Sequence, residues 1–143
     1  MSEPVFDNPT GWVADHIRRY VGSGGARGHR FNGKDVLLLT TRGRRSGRLR
    51  RTALYYGRDG ARYVLVATTL ADGGRDPDWY LNLLHNPAVV VQVRAEVFAA
   101  IARSATPSER RRLWELMVGV FPKYLAYETG AGRELAVVVL ERQ

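Results

Sequence analysis

Residues 52–68 read TALYYGRDGARYVLVAT, two apolar stretches on either side of a turn signal. The stretches at 52–56 and 62–68 are rich in aromatic and β-branched residues, a composition typical of strands. Asp59-Gly60 between them is one of the dipeptides favoured in tight hairpin turns. The segment therefore predicts two antiparallel strands joined by a hairpin.

Four more short apolar stretches, at 36–41, 88–93, 97–102 and 135–140, extend this pattern in both directions. Six strands on short connections, with few helices between them, favour an antiparallel sheet over βαβ units. Closure of such a sheet removes its exposed edges. We therefore predict an α+β protein that is mainly β, namely a small antiparallel β-barrel with peripheral helices.

Helix signals appear at three places around these strands. Asn8-Pro9 is predicted to open an amphipathic helix that ends at Gly22. Asp76-Pro77 precedes a short helix over 78–84, and Thr106-Pro107-Ser108-Glu109 is a capping box that starts a third helix. Residues 1–143 are expected to form a single domain, with the N-terminal helix and loop at 1–33 and the barrel with its inserted helices at 34–143.

Composition excludes several classes of site. The 143 residues include no cysteine, which rules out disulfides, thiolate zinc sites and cysteine nucleophiles. His16, His29 and His85 form no spaced ligand set, so we predict no metal site and assign them structural or exposed positions. The start of the chain has no signal-peptide pattern, and we expect a cytoplasmic protein. The basic N-terminal helix is expected to pack on the barrel, with peripheral contact to the inner face of the membrane as the alternative.

The charge is concentrated in one loop. The net charge is +8, and six arginines but no acidic residue lie between Arg42 and Arg51. Guanidinium groups match phosphate and carboxylate oxygens two at a time, so the loop predicts an anion site. It contains no aromatic residue for base stacking, and the chain has no helix-turn-helix, ribonucleoprotein or KH signature. A compact polyanionic small molecule is therefore favoured over nucleic acid.

Two motifs make the chain similar to a known family. LLTTRGRRSG at 38–47 and PDWYLNL at 77–83, followed by Asn86-Pro87 and later by Tyr124 and Tyr127, resemble the deazaflavin-dependent nitroreductase family over about residues 10–142. The resemblance implies a split β-barrel, like that of FMN-binding proteins, which binds coenzyme F420 through its phospholactate and oligoglutamate tail. It implies an oxidoreductase that uses reduced F420 to transfer hydride to a conjugated, quinone-like or nitro acceptor.

The resemblance also implies where the cofactor contacts lie. The phosphate and tail would be held by Arg44, Arg45 and Ser46 of the loop. The strand that follows would line the cofactor through Arg50, Arg51, Thr52, Ala53, Leu54 and Tyr55. The ring would be passed by Val66, Ala67, Thr68 and Thr69, and the helix start would contribute Asp78, Trp79, Tyr80, Leu81 and Asn82. Family members often carry a lysine where this chain has Thr69, and Arg75 could replace that contact.

Tyr124 is the residue that we expect to be catalytic. By resemblance it would lie over the ring, where its hydroxyl can stabilise negative charge on the acceptor oxygen. Tyr55, Tyr124 and Tyr127 would wall the substrate pocket. Without the resemblance, Tyr124 and Tyr127 would be interpreted as the continuation of an apolar helix face into the core.

Three alternatives remain open from the sequence. The barrel could use FMN in place of F420, since the basic loop suits either phosphate. The protein could also be a non-catalytic binder of the cofactor or of a lipid. Its partner is otherwise expected to be a small-molecule substrate, and its state a monomer or a weak homodimer.

Overall fold

The computed structural model describes residues 3–68 and 75–143, which form nine strands and four helices. The strands are β1 Val5–Asp7, β2 Arg30–Phe31, β3 Lys34–Arg42, β4 Leu49–Tyr55, β5 Gly57–Asp59, β6 Arg62–Ala67, β7 Ala88–Val93, β8 Glu96–Ser104 and β9 Ala136–Arg142. The helices are α1 Gly11–Gly22, α2 Asp78–His85, α3 Pro107–Val120 and α4 Tyr124–Ala131.

The strands form one sheet in the order β1-β4-β3-β7-β8-β9-β6-β5, and β2 pairs with β3. The pairings are antiparallel except that of β1 with β4, which is parallel. The prediction of a mainly β fold with peripheral helices is confirmed. No helix among the described residues is long and apolar enough to cross a bilayer.

The predicted pairing of the strand at 52–56 with the strand at 62–68 is wrong. β4 pairs with β3 over Leu49 to Tyr55, and the Asp59-Gly60 turn instead joins β6 to the short strand β5. Gly57 marks the break between β4 and β5. A Cβ at Gly57 would lie 2.8 Å from Met117 Sδ, so the absence of a side chain lets α3 pack closely there.

The N-terminus also differs from the prediction, because α1 begins at Gly11 rather than at Pro9. Asn8 continues the pairing of β1 with β4: its backbone N–H donates to Arg51 O at 2.8 Å and its Nδ2 donates to Thr52 Oγ1 at 3.3 Å. The Asn8 Oδ1 accepts from the backbone N–H of Thr10 at 3.0 Å. Asn8 therefore shapes the turn before α1 and ties it to β4.

Alternation along the strands sends side chains to two sides of the barrel wall. One set fills the interior: Leu37, Leu39, Tyr63, Leu65, Val138 and Leu140. A second set faces α3 and α4: Val64, Val66, Val137 and Val139, with Leu113, Met117 and Tyr124. A third set faces α1: Val36 and Leu38, with Val13, Ile17 and Tyr20. Helices α1, α3 and α4 are therefore fixed to the outside of the barrel, with β3 and β4 beneath α1, whereas α2 contributes Trp79 and Leu83 to the interior.

Candidate functional site

Two cavities lie along β4, one at each end of the strand. The first, which we call the basic groove, has a volume of about 430 Å³ and takes Arg50, Arg51 and Thr52 from β4. The second, the apolar pocket, has a volume of about 140 Å³ and takes Ala53, Leu54 and Tyr55 from the same strand. All six β4 residues that were predicted to line a cofactor therefore line one of these cavities.

Half of the arginines in the loop are neutralised by carboxylates from elsewhere in the chain. These ion pairs are Arg42 with Glu3 at 2.7 Å, Arg44 with Asp78 at 3.3 Å and Arg51 with Asp7 at 2.6 Å. The Arg42 guanidinium holds the pKa of Glu3 below its usual value through its hydrogen bond. The excess of charge in the loop sequence is thus partly compensated by the segment before α1 and by α2.

The other three arginines keep their charge available. Among residues 3–68 and 75–143, no carboxylate pairs with Arg45, Arg48 or Arg50. The guanidiniums of Arg48 and Arg50 stand over the Phe6 ring, 5.1 and 5.7 Å from its centroid, and Arg45 is exposed. Arg50 lines the basic groove together with Phe6. The loop therefore offers unpaired positive charge beside the groove.

The two sequence motifs meet in a buried hydrogen-bond network. Asn82 Oδ1 accepts from the backbone N–H of Arg44 at 3.1 Å and from its Nη1 at 2.9 Å. Asn82 Nδ2 donates to Thr41 Oγ1 at 3.2 Å, and Asn82 is buried. Arg44 thus anchors the loop to α2. Ser46 also shapes the loop, because its hydroxyl accepts from the backbone N–H of Arg48 at 3.1 Å.

Helix α2 contributes unevenly to the basic groove. Asp78, Trp79 and Asn82 line the groove, and Trp79 also packs into the barrel core. Tyr80 instead lines a separate cavity beside β9, and Leu81 is half-buried outside the groove. Arg75, expected to replace the contact missing at Thr69, does line the groove, whereas Thr69 itself lies outside the described residues.

The apolar pocket has walls from five parts of the chain besides β4. Its remaining lining residues are Trp12, His16, Phe31, Val36, Val66, Thr68, Phe121 and Tyr124. Among the residues described, the Thr68 hydroxyl is the one buried side-chain polar atom without a hydrogen-bond partner. Ala67, between Val66 and Thr68, faces the barrel core. The residue after β6 therefore lines a mainly apolar pocket and holds a buried hydroxyl without a protein partner.

Tyr124 lies buried in the wall of the apolar pocket. Its ring meets Phe121 edge-on at 5.0 Å and lies 6.4 Å from Trp114. Burial raises the pKa of Tyr124 far above its usual value of 10.0, and the nearby Tyr55 and Tyr127 hydroxyls raise it further. The hydroxyl therefore stays protonated at neutral pH and can donate a hydrogen bond.

The other two tyrosines predicted around the substrate differ in position. Tyr55 lines the apolar pocket, with its ring 5.2 Å from that of Phe121. Tyr127 packs behind Phe121, 6.0 Å between ring centroids, and does not line the pocket. The role of Tyr127 in substrate binding stays a prediction.

The predicted site omitted five residues that line the apolar pocket: Trp12, His16, Phe31, Val36 and Phe121. His16 is buried, with Nε2 2.7 Å from Gly28 O, whereas Trp12 is 61% exposed and stacks on Phe31 at 6.1 Å. The spacing of Trp12 and His16, four positions apart in a helix, was the available signal because it places both on one face. His29 fits the structural interpretation, since it is buried and lies 2.9 Å from the Tyr56 hydroxyl.

The comparisons with known proteins agree on one family. Residues 12–142 match the model of a family described as F420H(2)-dependent quinone reductase. An F420H(2)-dependent quinone reductase of Mycobacterium tuberculosis is 36% identical over 132 residues, which cover 90% of this chain and 88% of the relative.

Solved structures give the same result. An F420-H2 dependent reductase, FDR-A, is 34% identical with a TM-score of 0.68, covering 74% of this chain and 93% of its own. A second structure, a domain-swapped dimer, is 32% identical with a TM-score of 0.71, covering 94% of this chain and all of its own (100%).

These matches confirm the split-barrel fold, F420 as the cofactor, and the oxidoreductase activity that the resemblance implied. They favour F420 over the FMN alternative. With the family model spanning nearly the whole chain, this protein belongs to the F420H(2)-dependent quinone reductase family.

Proposed function

We propose that this F420H(2)-dependent oxidoreductase reduces quinone-like acceptors in the apolar pocket, with the cofactor lying along β4. The observation that carries the proposal is that successive residues of one strand, β4, line the basic groove and then the apolar pocket. A cofactor with a planar ring and a polyanionic tail needs these two environments side by side. The arginines without a carboxylate partner fit the tail of such a ligand.

The tail is assigned to the arginines without a carboxylate partner in the described part of the chain, first to Arg50, which lines the basic groove, and to Arg45, which the family resemblance places at the phosphate. A hydrogen bond to a charged group contributes about 1.5–3 kcal/mol, less where solvent screens it. Arg44, Ser46 and Asn82 keep the loop in the shape that presents these charges. Arg51 lines the groove but is balanced by Asp7, so its main contribution is to hold β1 against β4.

The chemistry is assigned to the apolar pocket. When bound, reduced F420 supplies a hydride. The protein positions the acceptor against aromatic walls and donates a hydrogen bond from Tyr124 to the oxygen that gains negative charge. Tyr55 and Phe121 help to exclude water from this position, which strengthens that hydrogen bond.

Titration with F420, followed by its fluorescence, tests the cofactor assignment. Replacing Arg45 and Arg50 together with alanine should raise the dissociation constant by at least about tenfold at low salt, and less as salt is added. Arg111→Ala is the matched control, since Arg111 lies on α3 with its side chain 93% exposed and pairs with Glu115. Equal affinity of the double variant and the wild type would contradict the assignment of the loop.

Turnover with menadione, cyclohexenone and nitro compounds tests the acceptor class. Consumption of reduced F420 should be fastest with menadione, whose planar ring suits the aromatic walls of the apolar pocket. Cofactor binding without turnover of any of these acceptors would favour the non-catalytic binder.

We further infer weak self-association through the outer face of the β7–β8 hairpin. Val90, Val97 and Ile101 are exposed on this face, Val97 by 60%. The related domain-swapped dimer supports pairing of such chains without specifying the contact. An uncovered apolar strip of this kind is typical of an interaction surface.

Contact with an anionic membrane is a separate proposal for α1. The helix carries the exposed Trp12, and the Arg18 side chain is 70% exposed on the same element. Sedimentation with phosphatidylglycerol vesicles should pellet the wild type and leave a Trp12→Ser, Arg18→Ser variant in solution. Equal recovery of both proteins in the supernatant would contradict this proposal.

A further inference from the structure

We propose that His16 is a catalytic residue that donates the proton from Nδ1 to the acceptor oxygen as hydride reaches the acceptor. The proposal rests on the proposed function, because it requires the acceptor to occupy the apolar pocket that His16 lines. It extends that function by assigning the donor of the proton that the acceptor gains in addition to the hydride.

The hydrogen bond to Gly28 determines which nitrogen of His16 can act. Nε2 lies 2.7 Å from Gly28 O. A carbonyl oxygen can only accept, so Nε2 carries a hydrogen whether the imidazole is neutral or charged. Nδ1 is consequently the nitrogen that gains and loses a proton.

Nδ1 is also accessible. In the described part of the chain, Thr68 Oγ1 is the one buried side-chain nitrogen or oxygen atom that lacks a partner, and no residue hydrogen-bonds to His16 Nδ1. Nδ1 is therefore not sealed inside the protein, although His16 as a whole is only 7% exposed. We place Nδ1 towards the apolar pocket that His16 lines, where an acceptor would supply the missing partner.

The ring of His16 is held by its surroundings. A Cβ added at Gly28, where φ is +110°, would lie 3.2 Å from Nε2 and 3.3 Å from Cδ2, so the glycine allows the backbone to approach the ring closely. Phe31 packs against the ring at 5.0 Å, at an angle of 64°. These contacts restrict the imidazole to one orientation, as required of a proton donor.

Reduction of a quinone to a hydroquinone needs a hydride and a proton. In the step proposed here the hydride brings two electrons to the acceptor, the Nδ1–H bond of the imidazolium breaks, and an O–H bond forms. The electron pair of the broken bond stays on Nδ1. The neutral imidazole keeps its Nε2–H bond to Gly28 and regains its proton from water.

The other titratable groups around the pocket are less suited to this step. Tyr124 is raised in pKa by burial, so it donates a hydrogen bond but holds its proton tightly. Tyr55 is the other phenol in the lining, and the Lys34 amine lies outside it, 5.9 Å from the Tyr55 centroid and 5.4 Å from that of Phe121. On α1 itself, Asp15 and Arg19 flank His16 in the chain and are outside the lining.

His16→Gln separates the two nitrogens, since the glutamine amide can still donate to Gly28 O but has no titrating group at the position of Nδ1. We expect F420 affinity to be unchanged and kcat with menadione to fall by about 10- to 100-fold at pH 7. His85→Gln, an exposed histidine at the end of α2, is the matched control and should behave as the wild type.

The outcomes distinguish this proposal from the proposed function. A wild type that binds F420 but does not reduce menadione would overturn both. An active wild type with an unchanged kcat in His16→Gln would overturn the role of His16 alone. If the variant does not fold, ¹⁵N NMR of the wild type decides: we expect the Nε2–H tautomer and a shift of the Nδ1 resonance when 1-naphthol binds. The Nδ1–H tautomer, or no shift at saturating 1-naphthol, would overturn the proposal.

Discussion

Tyr124 combines burial, aromatic neighbours and a position on the apolar pocket, and its hydroxyl is held protonated by a raised pKa. Tyr124→Phe removes this hydrogen-bond donor and leaves the ring packing intact. We expect kcat to fall by about tenfold or more, since loss of one donor to a developing oxyanion is costly. The F420 dissociation constant should change little.

Steady-state kinetics with menadione and fluorescence titration with F420 measure these two quantities. Tyr63→Phe is the control, because Tyr63 is a buried tyrosine of the barrel interior that touches neither cavity. A Tyr124→Phe enzyme with the turnover of the wild type would return this residue to a purely structural role.

Gly25 and Gly33 have similar positive φ angles, +80° and +74°, but different surroundings. A Cβ at Gly25 would lie 2.2 Å from Arg94 Cα, whereas a Cβ at Gly33 would meet nothing within 4 Å. Gly33→Ala should therefore cost only the left-handed backbone strain, about 1 kcal/mol. Gly25→Ala adds a backbone clash and should cost at least about 3 kcal/mol. Thermal unfolding compares the two, and equal melting temperatures would contradict the close contact with Arg94.

For the arginine loop, the sequence predicts the kind of site but not which arginines remain available to a ligand. The excess of positive charge between Arg42 and Arg51 is visible in the sequence and predicts an anion site. Which arginines remain available is not, because Glu3, Asp7 and Asp78 are more than thirty residues away in the chain. Pairing over such distances depends on the fold rather than on the local pattern.

Among the elements, those with strong local signals were predicted closely. Strand β7 matches the predicted 88–93, and α3 begins at Pro107, where Glu109 Oε1 accepts from the backbone N–H of Thr106 at 2.8 Å. Strands β1 and β5 were missed because each has only three residues and no periodic apolar pattern. They exist because neighbouring strands supply hydrogen-bond partners, which is a non-local cause.

Helix α3 is tied to the sheet by Glu109, which pairs with Arg103 of β8. The hydrogen bond from Arg103 lowers the pKa of Glu109 to about 2 from 4.5, with the Thr106 N–H as the second cause. The folded protein therefore keeps this carboxylate charged at pH values where the unfolded chain protonates it. Its contribution to the free energy of unfolding is complete above pH 4.5 and is lost as the pH falls towards 2.

Glu109→Gln should thus flatten the fall in stability between pH 5 and pH 2, as measured by urea unfolding. Glu115→Gln on the same helix is the control, since Glu115 is an exposed partner of Arg111. A Glu109→Gln variant with the acid dependence of the wild type would show that this ion pair does not hold α3 in solution.

The molecule as a whole builds the apolar pocket from residues as distant as Trp12 and Tyr124. The resemblance supplied Tyr55, Thr68 and Tyr124, but it named no pocket residue in the first 33 positions. Local patterns place Trp12 and His16 on one face of α1 without indicating what that face meets. Only the packing of α1 over β3 and β4 brings them to the pocket.

The net charge of +8 gives the two proposed interactions of the whole molecule opposite responses to salt. Cofactor binding joins a polyanion to the unpaired arginines, so added salt should weaken it. Self-association through the β7–β8 face brings two positive molecules together on an apolar strip, so screening should strengthen it. Sedimentation velocity between about 20 and 500 mM NaCl measures the second effect across a range in which screening changes strongly.

Val97→Glu places a charge on the most exposed valine of the strip, at its turn end, and should leave the protein monomeric at concentrations where the wild type associates. Val21→Glu makes the same change on α1, where the valine is also exposed, and should associate as the wild type does. Association that weakens with salt, or that survives Val97→Glu, would show that charged groups elsewhere form the contact. Added salt should weaken cofactor binding and strengthen self-association. A salt series measured with F420 and one measured without it therefore distinguish binding in the basic groove from association through the β7–β8 face.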